Sequence, residues 1–334
     1  MTVRRVPGAG RDEQNSAYGP ATPALHICLS MIAFPSFGTG VDRVLTAPHS
    51  PAVRRGRNFP RALGLVVLVA AAGCARTGPS AGTRSDLQPP PRVRFVPDTA
   101  RYRVASHLRV EQELGNQPQV SRLSLVYLLS VALAPGSSPG ELKAEITVDS
   151  VARYEGVGAV SQASERARGL RFTGILLPTG ELRDLQGANS ADPLLGEIVR
   201  DVREFFPRLP AAGVASGDSW TDTTEQEITS GDVPLTMHSV AAHLVGERIE
   251  EAAGPVLPIR TLTRYTFSGA GRQGGQEFSV EGSGRRHTIE YLSLEGRYRG
   301  LVAADTSEFT IAVAATGLTI PGRQFRADTV KALP

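Results

Sequence analysis

From Arg94 onward, apolar residues tend to fall on every second position. Tyr102, Val104, Leu108 and Val110 share one parity, against Arg101, Arg103, Arg109 and Glu111 on the other, which predicts a strand with one buried face. A turn at Gly115-Asn116-Gln117-Pro118 leads into residues 120–134, where Leu123, Leu125, Tyr127, Leu129 and Val131 alternate with Ser124, Val126, Leu128 and Ser130. This second strand is apolar on both faces for part of its length. Leu142, Ala144, Ile146 and Val148 alternate cleanly with Lys143, Glu145, Thr147 and Asp149. Residues 170–177 and 181–185 read as a hairpin around Pro178-Thr179-Gly180.

The period then changes once. Asp192 can cap a helix, Pro193 suits its first position, and Leu194, Leu195, Ile198, Val199, Val202, Phe205 and Phe206 form an i, i+3, i+4 stripe that Pro207 ends. Arg200, Asp201, Arg203 and Glu204 give the polar face a mixed charge, not the basic one of a membrane-surface helix. After a loop at 210–217, strands are predicted at 219–228, 235–245, 257–268, 277–282, 286–294, 297–303 and 308–315. Turn residues separate them: Gly231-Asp232, Gly254-Pro255, residues 269–275, Gly296 and Gly317. Short strands, regular turns and little helix predict a mainly β fold. The expected architecture is a long antiparallel meander forming a curved sheet or half-barrel, with one amphipathic helix, 192–206, packed on it. Residues 94–334 would form this globular domain, either whole or as two halves flanking the helix.

A different pattern precedes it. Arg54, Arg55, Arg57 and Arg61 are followed by the apolar run 62–70 and by Ala71-Ala72-Gly73-Cys74. The run is too short to span a bilayer, which takes about 20 residues, so residues 53–73 read as a cleaved signal. Ala71-Ala72-Gly73-Cys74 resembles the lipobox of bacterial lipoproteins, departing from it at Ala71, where the family most often has Leu. The resemblance implies lipid transfer to the Cys74 sulfur, cleavage between Gly73 and Cys74, and acylation of the new amino group. Two or more acyl chains hold a protein at a membrane durably, at about 0.8 kcal/mol per buried methylene. The expected location is therefore the cell envelope. Residues 1–52 stand ahead of a signal that belongs at an N-terminus and show no useful periodicity, so translation is expected to start near Val53 from a non-AUG codon; the alternative is a real, disordered extension. Residues 74–93 comprise the cysteine and a tether, ARTGPSAGTRSDLQPPP over 75–91, flexible and then locally extended. Ala75 after the cysteine, in place of aspartate, leans towards the outer membrane, facing the periplasm.

Composition gains meaning once the signal is set aside. The chain has 36 Lys+Arg and 33 Asp+Glu; taking away the eight basic and three acidic residues of 1–73 leaves 28 and 30. The basic balance belongs to the leader, so nucleic acid is not an expected partner. Cys28 and Cys74 are the two cysteines, which leaves the folded part without a disulfide framework or a thiolate metal site.

Candidate chemistry is sparse. His238 and His243, five apart in a strand, point to opposite faces and cannot pinch one metal. Residues 269–274 match GxGxxG but lead into another strand, not the helix a pyrophosphate needs, and read as a hairpin loop. Asp218, Asp222, Glu225 and Glu227 read as a solvated strand face. Leu209-Pro210 followed by Gly217-Asp218-Ser219-Trp220 resembles a short signature of uncharacterised β-rich bacterial lipoproteins, with Trp220 expected as a core anchor. No catalytic constellation and no cofactor motif emerges; an enzyme would have to gather Asp218, Asp222 and His287 from distant strands. The general plan resembles lipid-carrying lipoproteins of the LolA/LppX type, a lipid-holding half-barrel with helices. That resemblance implies a lipid or other apolar ligand, with Leu125, Tyr127, Leu129, Phe205, Phe206 and Trp220 as the candidate lining. The alternative is a non-enzymatic structural or assembly lipoprotein that binds another envelope protein.

Overall fold

The computed structural model describes residues 91–115, 117–156, 161–187, 193–230, 233–273 and 276–334. Cys74, Gly73, the signal, the tether as far as residue 90 and the capping position Asp192 lie outside the described residues, whereas Arg92 pairs with Asp218 and buried Val93 pairs with Val214, so both belong to the fold and not to the tether. The described residues from Arg92 onward all belong to one compact unit.

Among the described residues, twelve strands form a single antiparallel sheet. In chain order they are β1 (Asp98–Leu114), β2 (Gln117–Pro135), β3 (Leu142–Gly156), β4 (Arg171–Leu176), β5 (Leu182–Gln186), β6 (Ser219–Ser230), β7 (Val233–Val245), β8 (Ile249–Glu251), β9 (Gly254–Gln273), β10 (Gln276–Ser293), β11 (Tyr298–Val313) and β12 (Leu318–Ala332). Two helices accompany them, α1 (Ser161–Ala167) between β3 and β4, and α2 (Pro193–Arg203) between β5 and β6. The spatial order is β5-β4-β3-β2-β1-β12-β11-β10-β9-β7-β6, with the short β8 paired to β9. The β-rich stretches on either side of α2 are thus one sheet, joined where the first strand meets the last. Tyr102 stands opposite Ala332, and Gln112 opposite Gly322.

The mainly β architecture with a packed helix matches the alternation in the sequence, but β8 to β12 depart from it: β8 is an additional strand and β9 extends beyond 257–268 at both ends. β10 runs unbroken through residues 283–285, β11 runs unbroken through 304–307, and β12 is an additional strand. The GxGxxG stretch is not a loop either: Gly269 to Gln273 complete β9, with Gly269 opposite Val280. Turn-forming residues at these points are overridden by ladder pairing on both sides, since each lies in an interior strand. Helix α2 ends at Arg203, and the turn closes through the Phe205 N–H donating to Val202 O at 3.3 Å. Phe205 and Phe206 therefore follow the helix instead of ending it.

The inward face of the sheet carries two apolar clusters. The larger joins β1 to β5, α2, the 205–214 loop and the adjoining ends of β7 and β9 to β12. The smaller gathers Leu108, Val110, Leu235, Met237, Phe267, Phe278, Val280, Phe309, Ile311, Val313 and Ile320. It contains no helical residue, yet Leu235, Ile311 and Ile320 are essentially inaccessible. With no second layer from a helix, this face can be buried only if the sheet rolls over on itself. Leu123 of β2 packs against this same cluster, six strand positions away from Leu235 of β7. The roll stops short of closure, because β5 and β6 do not pair.

Three glycines of the inward face lie under aromatic rings of the neighbouring strand. On the inward face, a Cβ on Gly282 would lie 2.4 Å from Phe267 Cζ, one on Gly284 would lie 2.3 Å from Tyr265 Cζ, and one on Gly322 would lie 2.3 Å from Phe309 Cζ. Each aromatic ring lies across the glycine directly opposite it. The rings take the space that side chains would otherwise fill, a cross-strand pairing that supports glycine within a curved sheet.

Candidate functional site

Between the two clusters the inward face turns polar. The strand registers lay its side chains out in rows across six strands, from β6 to β12. One row is Thr224, Ser239, Tyr265, Gly284, Ser307 and Gln324; the next is Asp222, Ala241, Thr263, Arg286, Asp305 and Arg326. A third runs Trp220, His243, Thr261, Thr288, Ala303 and Asp328, reaching Ser106 of β1. A band three rows deep thus interrupts the apolar interior.

Arg326 is its hub, with a side chain only 3% exposed. Its Nε donates to Asp328 Oδ1 at 2.8 Å, its Nη2 to Asp201 Oδ1 at 2.9 Å, and its Nη1 to Glu197 Oε2 at 3.5 Å. Burial works against its charge, but Asp328 and Asp201 outweigh that and hold its pKa above the ordinary value. Asp328 also accepts from Ser106 Oγ at 2.8 Å and pairs with Arg286 Nη2 at 3.2 Å. Burial raises the Asp328 pKa, while Arg326 and Arg286 bring it down below the usual carboxylate value. Helix α2 supplies Glu197, which pairs with Arg200, and Asp201, which also accepts from Tyr127 Oη at 2.9 Å. Part of the helix's polar face is turned onto this band: Glu197 is 7% exposed and the Arg200 side chain 10%, whereas Arg203 is exposed.

Ionisable groups in and beside the band are shifted by burial. Glu204 and Glu290 are each pushed up to about 7, chiefly by desolvation, despite nearby Arg286. Asp305 is raised for the same reason and accepts from Tyr265 Oη at 2.6 Å. Several buried polar atoms have no hydrogen-bond partner among the described residues: Arg286 Nη1, Gln324 Oε1, Gln226 Oε1, Glu204 Oε1 and Tyr298 Oη.

At the β6 edge the band ends in a smaller constellation. His243 Nε2 lies 3.2 Å from Asp222 Oδ2, and its Nδ1 lies 2.9 Å from Thr261 Oγ1. Trp220 stacks on the imidazole at 4.6 Å between centroids, with planes 5° apart. The close approach of His243 lowers the Asp222 pKa. His238 faces outward beside Glu225, so the two histidines do take opposite faces.

The sequence-derived candidates separate into groups. Leu125, Tyr127, Leu129, Phe205 and Phe206 are all buried in the larger apolar cluster, and half-buried Trp220 packs against it. Phe205 meets Tyr102, Phe206 and Tyr298 edge to face at 5.0, 5.1 and 5.3 Å. The acids in and just before β6 do not share one solvated face. Asp222 turns inward to His243, Glu225 and Glu227 turn outward, and Asp218 pairs with Arg92 at 2.6 Å and caps the Ala215 N–H at 2.9 Å. His287 is exposed on the outward face, away from Asp222, so those two are not brought together. The Arg326 hub went unseen because it lies on the strand that periodicity missed. The signal that could have found it is Gln324, Arg326 and Asp328 at one parity, flanked by Ile320 and Val330 at that same parity.

Among the described residues, no group of His, Cys, Asp or Glu is placed to hold a metal ion, and no helix is long and apolar enough to cross a membrane. No known family and no curated protein matches the chain. Among solved structures, that of Pseudomonas aeruginosa OccK10 (OpdN) is similar at 9% identity over 71% of this chain and 100% of that one, with a TM-score of 0.19. Similarity at that level carries no argument about fold or function.

Proposed function

We propose that the protein is a lipid-anchored envelope protein whose rolled sheet holds an amphiphile. In this reading Cys74 carries the acyl anchor, and the domain faces the periplasm from the outer membrane. The polar end of the guest rests on the buried band, and its chain lies against the cluster containing Leu125, Tyr127, Leu129, Phe205 and Phe206. Access is between the unpaired edges β5 and β6, where Trp220 stands.

The observation that carries this reading is the set of unpaired polar atoms on the inward face. A buried donor or acceptor left unsatisfied costs about 1–3 kcal/mol, and a whole domain is stable by only about 5–15 kcal/mol. Arg286 Nη1, Gln324 Oε1, Gln226 Oε1 and Glu204 Oε1 together are therefore groups that water or the polar end of a guest would satisfy. A headgroup supplies such an end, and the flanking apolar clusters suit its tail.

Native mass spectrometry of the full chain with Cys74→Ser is the test. A stoichiometric amphiphile that co-purifies, or rebinds after delipidation, supports the reading, and Arg286→Ala is expected to reduce its occupancy. A chain that stays ligand-free in the presence of phospholipid, lysolipid and fatty acid would sink it. That outcome would favour an assembly role, for which β6 offers a twelve-residue edge with no strand on its outer side among the described residues. The anchor is checked separately: labelled palmitate enters the wild-type chain and not the Cys74→Ser variant.

A further inference from the structure

The outward face of the sheet carries an arrangement that the interior does not explain. One outward row places Arg264 directly opposite Arg285, and Arg109 directly opposite Arg122, with Thr306 and Phe325 between the two pairs. Like charges directly opposite on neighbouring strands repel. All four arginines are exposed. Arg109 is neutralised by Glu111, and its guanidinium lies 5.9 Å from the Phe325 ring centroid. Arg264 and Arg285 form no ion pair among the described residues.

These two arginines line a hollow of about 830 Å³. Glu308 is the acid in its lining, and it is engaged by Arg323 at 3.1 Å. Hydroxyl groups come from Thr266, Ser283 and Thr306, and an apolar wall from Val240 and Phe325, 49% and 39% exposed. The chain from Cys74 onward has slightly more acids than bases, so an uncompensated pair of guanidinium groups here is a local feature and not a general basic surface.

We propose that this hollow binds a phosphate-bearing ligand, with the phosphate bridging Arg264 and Arg285 and its organic part resting on Phe325 and Val240. Two guanidinium forks on adjacent strands match the several oxygens of a phosphate, whereas a carboxylate needs only one fork. A bound dianion also turns the Arg264–Arg285 repulsion into attraction. The site is on the opposite face of the sheet from the amphiphile band and stands or falls independently of it.

The test uses the full chain with Cys74→Ser. Calorimetry with inorganic pyrophosphate reads a soluble ligand, and co-sedimentation with phosphatidylcholine vesicles, with and without phosphatidylglycerol, reads a lipid-borne phosphate. Binding in either arm supports the proposal, and the arm that responds identifies the source. The double variant Arg264→Gln/Arg285→Gln is expected to bind at least about tenfold more weakly, as for loss of a charge-assisted contact. Arg103→Gln, on an exposed arginine outside the hollow, should leave binding unchanged. Pyrophosphate should raise the Tm of the parent and not of the double variant. Circular dichroism and the unliganded Tm of the double variant show that it folds. No binding in either arm, or binding that survives the double substitution, overturns the proposal.

Discussion

Arg326 illustrates how much one side chain can organise when it is removed from water. It contacts Asp328, Asp201 and Glu197 at once, sharing the charge balance with Arg286 and Arg200 and tying β12 to α2. Removing one partner of a buried ion pair costs about 3–5 kcal/mol, because the partner charge stays behind unpaired. Arg326→Ala is therefore expected to lose at least that much in urea unfolding; a loss below about 1 kcal/mol would show that water already shares the site. Glu290 makes a complementary prediction about pH. Its folded pKa of about 7 stands above the unfolded value of 4.5, so the folded chain binds this proton more tightly. The resulting stability is fully present below pH 4.5 and is lost as pH rises through 7. Glu204 acts in the same direction. Glu290→Gln should flatten the decline between pH 5 and pH 8, raising stability at pH 8 by up to about 3 kcal/mol. Unchanged pH dependence in that variant would assign the decline to other groups.

At the scale of single elements, the glycine–aromatic pairs fill the inward face where a side chain is lacking. Gly282→Ala would drive its methyl into Phe267 and into the Glu308 carbonyl, 2.4 and 2.6 Å from the new Cβ. Overpacking of this kind costs about 1–3 kcal/mol. Gly317→Ala provides a comparison, with no atom within 4 Å of its new Cβ but a φ of 62° to maintain. Comparing their thermal unfolding separates crowding from backbone strain. The same elements show what was legible in the sequence. Strands whose inward positions are uniformly apolar, such as Leu142, Ala144, Ile146 and Val148 of β3, stood out at once. The α2 stripe did so as well, its residues buried apart from half-exposed Val199. The breaks read into β10 and β11 fall at Ser283-Gly284-Arg285 and Ala304-Asp305-Thr306-Ser307, where those strands cross the polar band. Alternation reports a buried face only while that face is apolar. A buried charge network therefore hides the strands that build it, and the functional interest and the blind spot coincide at Arg286, Asp305 and Arg326. Seven-residue α1 was missed for a plainer reason, being too short to show a stripe.

For the whole molecule, the decisive contact is β1 with β12. β12 lies in the middle of the sheet although it ends the described chain, so deleting residues 318–334 should not merely trim an edge. It should expose β1 and β11 together and abolish the cooperative transition, as read by loss of a sigmoidal urea curve with retained expression. Native pairing also has to bring Tyr102 to Ala332, and such non-local contacts slow folding.

That seam has a further consequence. The Leu333 N–H donates to Arg101 O at 2.7 Å, so the start of β1 and the end of β12 already lie side by side, as in an unclosed hairpin. Read along the sheet, the strands run β6, β7, β9, β10, β11, β12, β1, β2, β3, β4, β5. This is a plain up-and-down meander whose chain has been cut between β12 and β1 and rejoined through α2. A circular permutant that begins at Pro193, links Ala332 to Asp98 by a short turn and ends after Gln186 would restore the uncut order. Almost every pairing would then be between sequence neighbours. Such a chain should reach the same sheet faster than the natural one, and stopped-flow refolding would show by how much the present chain ends delay it.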